Sequence, residues 1–408
     1  MRDSFDALRE RQFRLLFTGQ IVSLLGDAIT GVALAFAVLD LTGSATDLGY
    51  VFAAKAVPLV GFLLIGGVFA DRLPRRAVML TADVVRFGTQ GGVAMLILTH
   101  SAQIWEIVVL QAISGTASAF FNPASTGLTP MTVSPERLQQ ANALRGLSMA
   151  STGIIGSVIS GALVAGVGAG WALAIDAATF AVSAFFLGQL RLPAHVTLPP
   201  QSFFGDLHEG WREFASRTWV WMIVVAASLG NMVLSVFVVL GAEISKTSLG
   251  GPGAWAAILA AIGIGSLLGG FVSLRIRVRY PLYFGSSLLA FLAAPIALLA
   301  LRMPVAVIAA GALLSGVANM IFSALWETSL QQHIPPAALS RVSAYDWFGS
   351  LAFQPLGFVI AGPAAVAIGA SPTLWIAAGT ILVMTAAVLA TPSVRRLEAL
   401  PAVPPATA

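Results

Sequence analysis

The sequence predicts an all-α integral membrane protein, with twelve transmembrane helices arranged as two repeated bundles of six. Three observations carry this. Of 408 residues, 57% are hydrophobic and 10% charged, with a mean hydropathy of +0.88; that is too little charge to cover the surface of a water-soluble protein. The apolar residues come in runs of roughly 20, long enough to span as helices, without the alternation of a β-barrel. The two halves of the chain also repeat each other.

Taken in order, the polar stretch Met1 to Arg14 leads into a run too long for the core of a signal peptide, so no cleaved leader is expected. Spans are predicted at about 13–39, 48–70, 77–99, 103–122, 142–167, 171–190, 219–244, 253–274, 281–301, 304–325, 343–368 and 373–391. Placing the N-terminus inside puts nearly all loop arginines in the cytoplasm and leaves Lys246 and Arg302 outside. That asymmetry predicts cytoplasmic termini and a multi-pass protein of the cell (inner or plasma) membrane. The basic loops also account for the net charge of +4, which is not read as nucleic-acid binding. Absence of cysteine excludes disulfides, thiol catalysis and Cys-ligated metal sites.

The longest polar interruption follows the sixth span. It divides the chain into an N-terminal bundle (1–191), a cytoplasmic linker (192–217) and a C-terminal bundle with a short tail (218–408). Pro193, Pro199 and Pro200 mark the linker. Phe203, Phe204, Leu207, Trp211 and Phe214 then recur at helical spacing, predicting an amphipathic interfacial helix with a connecting rather than a regulatory role.

The repeat is read residue against residue. An offset of 201 aligns Gly156, Gly161 and Gly168 with Gly357, Gly362 and Gly369. An offset of 203 sets Gly66-Gly67 on Gly269-Gly270 and Arg76 on Arg279, and one of 204 sets Leu25-Gly26-Asp27 on Leu229-Gly230-Asn231. Parallel repeats of this kind place a substrate site between the halves near the bilayer midplane.

An ionisable residue at mid-membrane costs at least ~2.5–3.5 kcal/mol, so each needs a partner or a task. Asp27 in span one and Lys55 in span two lie at similar heights, which predicts an ion pair between antiparallel neighbours. A carboxylate beside a lysine in a wet cavity is a candidate for proton coupling; a static packing pair is the plainer reading. Asp83 and Arg86 share a face of span three at i and i+3. With Arg145, Glu327, Arg341 and Asp346 they are candidates for a charge network on the inner side. Asp176, in span six, is expected to pair or snorkel. The polar and aromatic residues Gln20, Gln111, Asn122, Asn231, Asn319, Trp326, Trp347 and Gln354 are candidates for the substrate cavity; small polar side chains also bond between helices. Gly265 and Gly269, like Gly88 and Gly92, are read as small-residue helix packing rather than a nucleotide loop. No histidine lies in a span core and no nucleophile–base pair is legible, so neither a metal site, a cofactor nor an enzyme is expected.

The stretch Gly67-Val68-Phe69-Ala70-Asp71-Arg72-Leu73-Pro74-Arg75-Arg76 resembles the loop motif G-x-L-A-D-R-x-G-R-K of the major facilitator superfamily, and it lies between spans two and three as it does there. Pro74 stands where that family has glycine. Ser23 to Asp27, Leu41 to Ala45 and Ser340 to Ala344 are similar to the bacterial drug, macrolide and siderophore (enterobactin-type) exporter branch. The antiporter motif G-P-x-x-G-G is present only in part, as Gly156 to Gly161 without the proline. The resemblance implies the family fold, a cavity ringed by spans one, four, seven and ten, and a gating role for Gly67, Asp71, Arg72, Arg75 and Arg76. Positive-inside anchoring explains the arginines adequately, but not Asp71, whose repeat position holds Leu274. The function expected is export of a hydrophobic or amphipathic small molecule by proton antiport. Its partners would be substrate, protons and lipid, with a monomer as the working unit. Proton-coupled nutrient uptake is the alternative within transport, and a membrane scaffold the alternative outside it.

Overall fold

A computed structural model describes residues 3–63, 73–192 and 210–400. In the first half the helices are α1 (Arg11–Thr42), α2 (Ala45–Gly61), α3 (Arg75–Leu98), α4 (Ile104–Leu128), α5 (Leu138–Val167) and α6 (Ala169–Gly188). In the second they are α7 (Thr218–Ile244), α8 (Pro252–Ser273), α9, α10 (Val305–His333), α11 and α12 (Ala370–Ala390). The rod α9 joins Pro281–Leu288 to Ala293–Ala300 through a 3-10 turn, and α11 is broken between Pro336–Leu351 and Gln354–Ile368. Among the described residues, ten of these are long and apolar enough to cross a membrane. The other two are explained locally: α2 has 17 described residues, and α3 carries Arg75, Arg76, Asp83 and Arg86. The molecule is an all-α, multi-pass membrane protein of two six-helix bundles.

The duplication is visible in the turns. Gly168, between α5 and α6, has φ 91° and ψ 160°; Gly369, between α11 and α12, has φ 93° and ψ 151°. A side chain would strain both, so both copies keep glycine. Within the first bundle α1 packs on α5 and α6, α3 on α4 and α6, and α2 on α4; within the second α8 packs on α10, and α7 on α11 and α12. Gly265 and Gly269 lie against the α10 backbone at Leu313 and Val317, as expected; Gly92 meets Leu110, but Gly88 faces open space and is no packing position.

The bundles meet through α2 against α11 and α5 against α8. A Cβ at Gly49 would lie 2.2 Å from the Phe358 carbonyl oxygen, and one at Gly362 2.3 Å from the Thr46 Cα. The Phe52 and Phe358 rings pack with centroids 5.4 Å apart, and Lys246 reaches Asp40 at 2.6 Å. All these contacts lie on the face carrying the α1–α2, α5–α6, α7–α8 and α11–α12 turns. That face is shut, and a cavity of about 620 Å³ opens between the bundles on the opposite side.

The break in α11 has a polar support on α7. Ser228 Oγ accepts the Phe353 amide at 3.1 Å, and the Asn231 side chain donates to the Ser350 carbonyl at 2.9 Å. Backbone groups freed by a broken helix need such partners inside a membrane. The 210–215 turn of the linker packs Trp211 and Phe214 on Tyr345 of α11, with ring centroids 5.6 and 5.8 Å away. Phe203, Phe204 and Leu207 lie outside the described residues.

Candidate functional site

Helices α1, α2, α3 and α6 bring their charges to one place. Gly26 permits it: a Cβ there would fall 2.1 Å from Thr179 Oγ1 and 2.3 Å from Asp176 Oδ1, so only glycine lets α6 approach α1 this closely. One residue on, the Asp27 carboxylate accepts from Arg86 Nη2 at 2.8 Å and lies 3.7 Å from Lys55 Nζ. The pairing expected between Asp27 and Lys55 is therefore present, but Arg86 is the nearer cation. Arg86 also donates to Ser23 Oγ at 3.2 Å and lies 3.5 Å from Asp83 Oδ1. Its guanidinium sits over the rings of Phe180 and Phe121, at 4.0 and 4.8 Å, which adds cation–π attraction.

Burial grades the cluster. The Asp83 and Arg86 side chains are 0% and 3% exposed, while those of Asp27 and Lys55 are 36% and 28% exposed. Asp27 thus faces the cavity with its back to a nearly buried cation. Asp83 and Arg86, expected with Arg145 and the second-bundle charges at the inner end, belong instead to Asp27. The reason is reach: a long guanidinium one helical turn past Asp83 spans from α3 to α1.

Behind Asp27, fully buried Asp176 accepts from Thr30 Oγ1 at 2.5 Å. Gln90 donates to the same Thr30 hydroxyl at 2.9 Å, and Gln111 donates to Gln90 at 3.0 Å. Gln111, expected in the cavity, is wholly buried in this chain of side chains. Thr30 and Gln90 are not among the residues singled out from sequence. Their signal is spacing: Thr30 is i+3 from Asp27, and Gln90 is i+4 from Arg86.

The cavity itself is lined by Gln20, Asn122, Arg145 and Trp347 beside Asp27 and Arg86. Arg145 donates to Thr129 Oγ1 at 2.8 Å and to Ser125 Oγ at 3.1 Å, and Gln20 donates to the same Ser125 at 2.7 Å. Across it, Trp347 on α11 is 67% exposed and offers an aromatic face. Trp326 is instead buried, its indole donating to Asp346 Oδ2 at 3.0 Å. Glu327 is exposed on α10, Arg341 stands beside the linker at Gly210, and Gln354 is half-buried at the α11 break. Asn231 and Asn319 line a separate pocket inside the second bundle.

Of the loop motif, Gly67, Asp71 and Arg72 lie outside the described residues. Arg75 donates to the Gly127 carbonyl at 2.6 Å, and Arg76 to the carbonyls of Leu187 at 2.8 Å and Gly188 at 2.5 Å. These carbonyls end α4 and α6, where a helix dipole is negative and its last C=O groups lack intrahelical partners. Among the described residues, no group of three or more His, Cys, Asp or Glu is placed to hold a metal.

Two solved structures share this architecture. The nucleoside transporter NupG superposes with a TM-score of 0.70 at 15% identity, covering 93% of this chain and 98% of that one. A bacterial homologue of the human lysosomal transporter Spinster, inward-facing and unoccupied, gives 0.72 at 15% identity, covering 94% and 96%. In sequence, the chain is 26% identical over 421 residues to the multidrug efflux pump Tap of Mycobacterium tuberculosis (strain ATCC 25618 / H37Rv), covering 95% of each. It is 29% identical over 344 residues to the enterobactin exporter EntS of Escherichia coli O1:K1 / APEC, covering 81% of this chain and 80% of that one. The sequence profile of the Major Facilitator Superfamily matches residues 16–352. The chain belongs to the major facilitator superfamily of membrane transporters.

Proposed function

We propose that this transporter exports a hydrophobic or amphipathic small molecule in exchange for protons, with the Asp27 cluster as the coupling site. One observation carries the reading: Asp27 faces the cavity while bonded to a cation that is itself almost wholly buried in the bundle. Three carboxyls, Asp27, Asp83 and Asp176, share the site with two cations, Lys55 and Arg86. One negative charge is left over, and a proton is the smallest ion that balances it. A substrate entering beside Asp27 would compete for its partners and displace that proton.

With both termini in the cytoplasm, as the arginine distribution favours, the open cavity faces inward and the shut seam faces out. Substrate loading from the cytoplasm would then precede a rocking of the bundles, with proton entry from outside resetting the carrier. The relatives Tap and EntS, named as an efflux pump and an exporter, support the outward direction. The cavity suits an amphipathic molecule, with Trp347 and Phe121 as apolar surface and Gln20, Asn122 and Arg145 as polar contacts.

The experiment is an accumulation screen across dyes, macrolides and siderophores in cells expressing the protein, with and without an uncoupler. Export predicts lower accumulation of at least one compound, reversed by the uncoupler. Higher accumulation would favour proton-coupled uptake instead.

A further inference from the structure

The second bundle encloses a cavity of about 190 Å³ among α7, α8, α9, α10 and α12, separate from the one between the bundles. Asn231, Ile262, Ser286, Leu289, Asn319 and Phe322 are among its walls, and no lining residue is ionisable. Its place in the fold explains it. By the offsets that align the halves, Asn231 stands for Asp27, Ser286 for Asp83 and Leu289 for Arg86. The first bundle fills this space with an ion cluster; the second has replaced the ions with shorter or apolar side chains and left a void.

Two details set this void apart from a packing defect. Ser286 is fully buried and lines it, yet its hydroxyl has no hydrogen-bond partner among the described residues. Neighbouring Ser315, also in the wall, donates to the Ala312 carbonyl at 2.8 Å. A buried hydroxyl without a partner is costly, and an occupant that bonded it would remove that cost. The second detail is that two of the wall residues reach the protein surface. Leu234 on α7 and Asn319 on α10 line the pocket and are themselves exposed.

We propose that this pocket is a binding site for a small, uncharged, largely apolar molecule or substituent, about the size of a substituted aromatic ring, with one hydrogen-bonding atom that meets Ser286. The size follows from comparison: apolar protein cavities of about 150 Å³ take up benzene. Neutrality follows from the lining, since nothing in the wall would balance a charge taken out of water. The site stands on the cavity and Ser286 alone, and holds whichever way the protein transports.

The test is photolabelling of the full-length protein in lipid nanodiscs with a phenol bearing a trifluoromethyl-diazirine, read by mass spectrometry of the peptides. Plain phenol should compete the label away from Leu289, Phe322 and Met384, while benzoate, of similar size but charged, should not compete. Gly230→Leu should lower pocket labelling by about tenfold or more. A Cβ there has Met384 Cε as its nearest neighbour, at 3.9 Å, so the new side chain enters the void without striking backbone. That variant should also melt no lower than the parent, because it fills a cavity; if it fails to assemble, Ala227→Leu enters the same space. Ser286→Ala should weaken phenol competition about fivefold without moving the labelled residues. The proposal is overturned if labelling is confined to lipid-facing residues, if benzoate competes as well as phenol, if the filling variants leave pocket labelling unchanged, or if Ser286→Ala leaves competition unchanged.

Discussion

Arg86 and Asp27 lie 2.8 Å apart, with the arginine almost wholly buried in the first bundle and the aspartate open to the cavity between the bundles. Arg86 also holds the wholly buried Asp83, so removing it strands a carboxylate in a dry interior. Arg86→Gln is expected to cost about 3–5 kcal/mol of stability. Adding Asp83→Asn should recover a large part, because the stranded charge goes with it. Unfolding of the purified single and double variants measures this; equal stability of the two would mean that Asp83 does not depend on Arg86.

Gly26 sets how closely α6 approaches α1. Gly26→Val places two methyl groups where Thr179 and Asp176 now sit and is expected to cost about 1–3 kcal/mol. Transport should fall with it, since the shift displaces the Asp27 carboxylate. A variant with unchanged melting temperature and full activity would show that the close approach is dispensable.

The shut seam is testable because the chain has no cysteine, so introduced thiols are the only ones present. Asp40→Cys with Lys246→Cys places a thiol on each bundle at a pair now 2.6 Å apart. A short, cleavable, thiol-specific crosslinker should stop transport, and cleavage of the linker should restore it. Undiminished transport in the fully crosslinked protein would show that this face need not open.

Much of this was legible in the sequence. Twelve apolar runs and the glycines repeated at 168 and 369 gave the two-bundle fold, because length and turn geometry are local properties. The Asp27–Lys55 pair was legible from height alone. Arg86 was not, because its partner was chosen by the approach of α1, α3 and α6, which Gly26 permits and no one-dimensional pattern records. The role of Asn231 was hidden for a similar reason: it supports a break in α11, and nothing in Ser350 to Phe353 announces that break. Arg75 and Arg76 read as anchoring or gating residues; in the structure they cap α4 and α6, whose ends meet that loop only in three dimensions.

Outside the membrane, Glu10 ties the N-terminal segment to the α4–α5 turn. Its carboxylate accepts the Ser134 amide at 3.0 Å and hydroxyl at 2.8 Å and lies 3.3 Å from Arg137. Burial raises the Glu10 pKa, but Ser134 and Arg137 outweigh it, and the group ends below its ordinary value of 4.5. A depressed carboxyl pKa stabilises the fold above the unfolded value, and that contribution is lost as pH falls through the folded one. Glu10→Gln should therefore cost about 1 kcal/mol at neutral pH. The gap to the parent should close below pH 4.5. A pH series of melting temperatures checks it; a gap that persists in acid would assign the effect to packing.

The coupling role proposed for Asp27 is tested most directly in proteoliposomes, using a compound that the accumulation screen identifies. An imposed proton gradient should drive its movement by the parent protein, while Asp27→Asn should lose gradient-driven transport and keep substrate binding. If Asp27→Asn transports the compound in response to the gradient as the parent does, protons are not coupled through this carboxylate and the account is wrong.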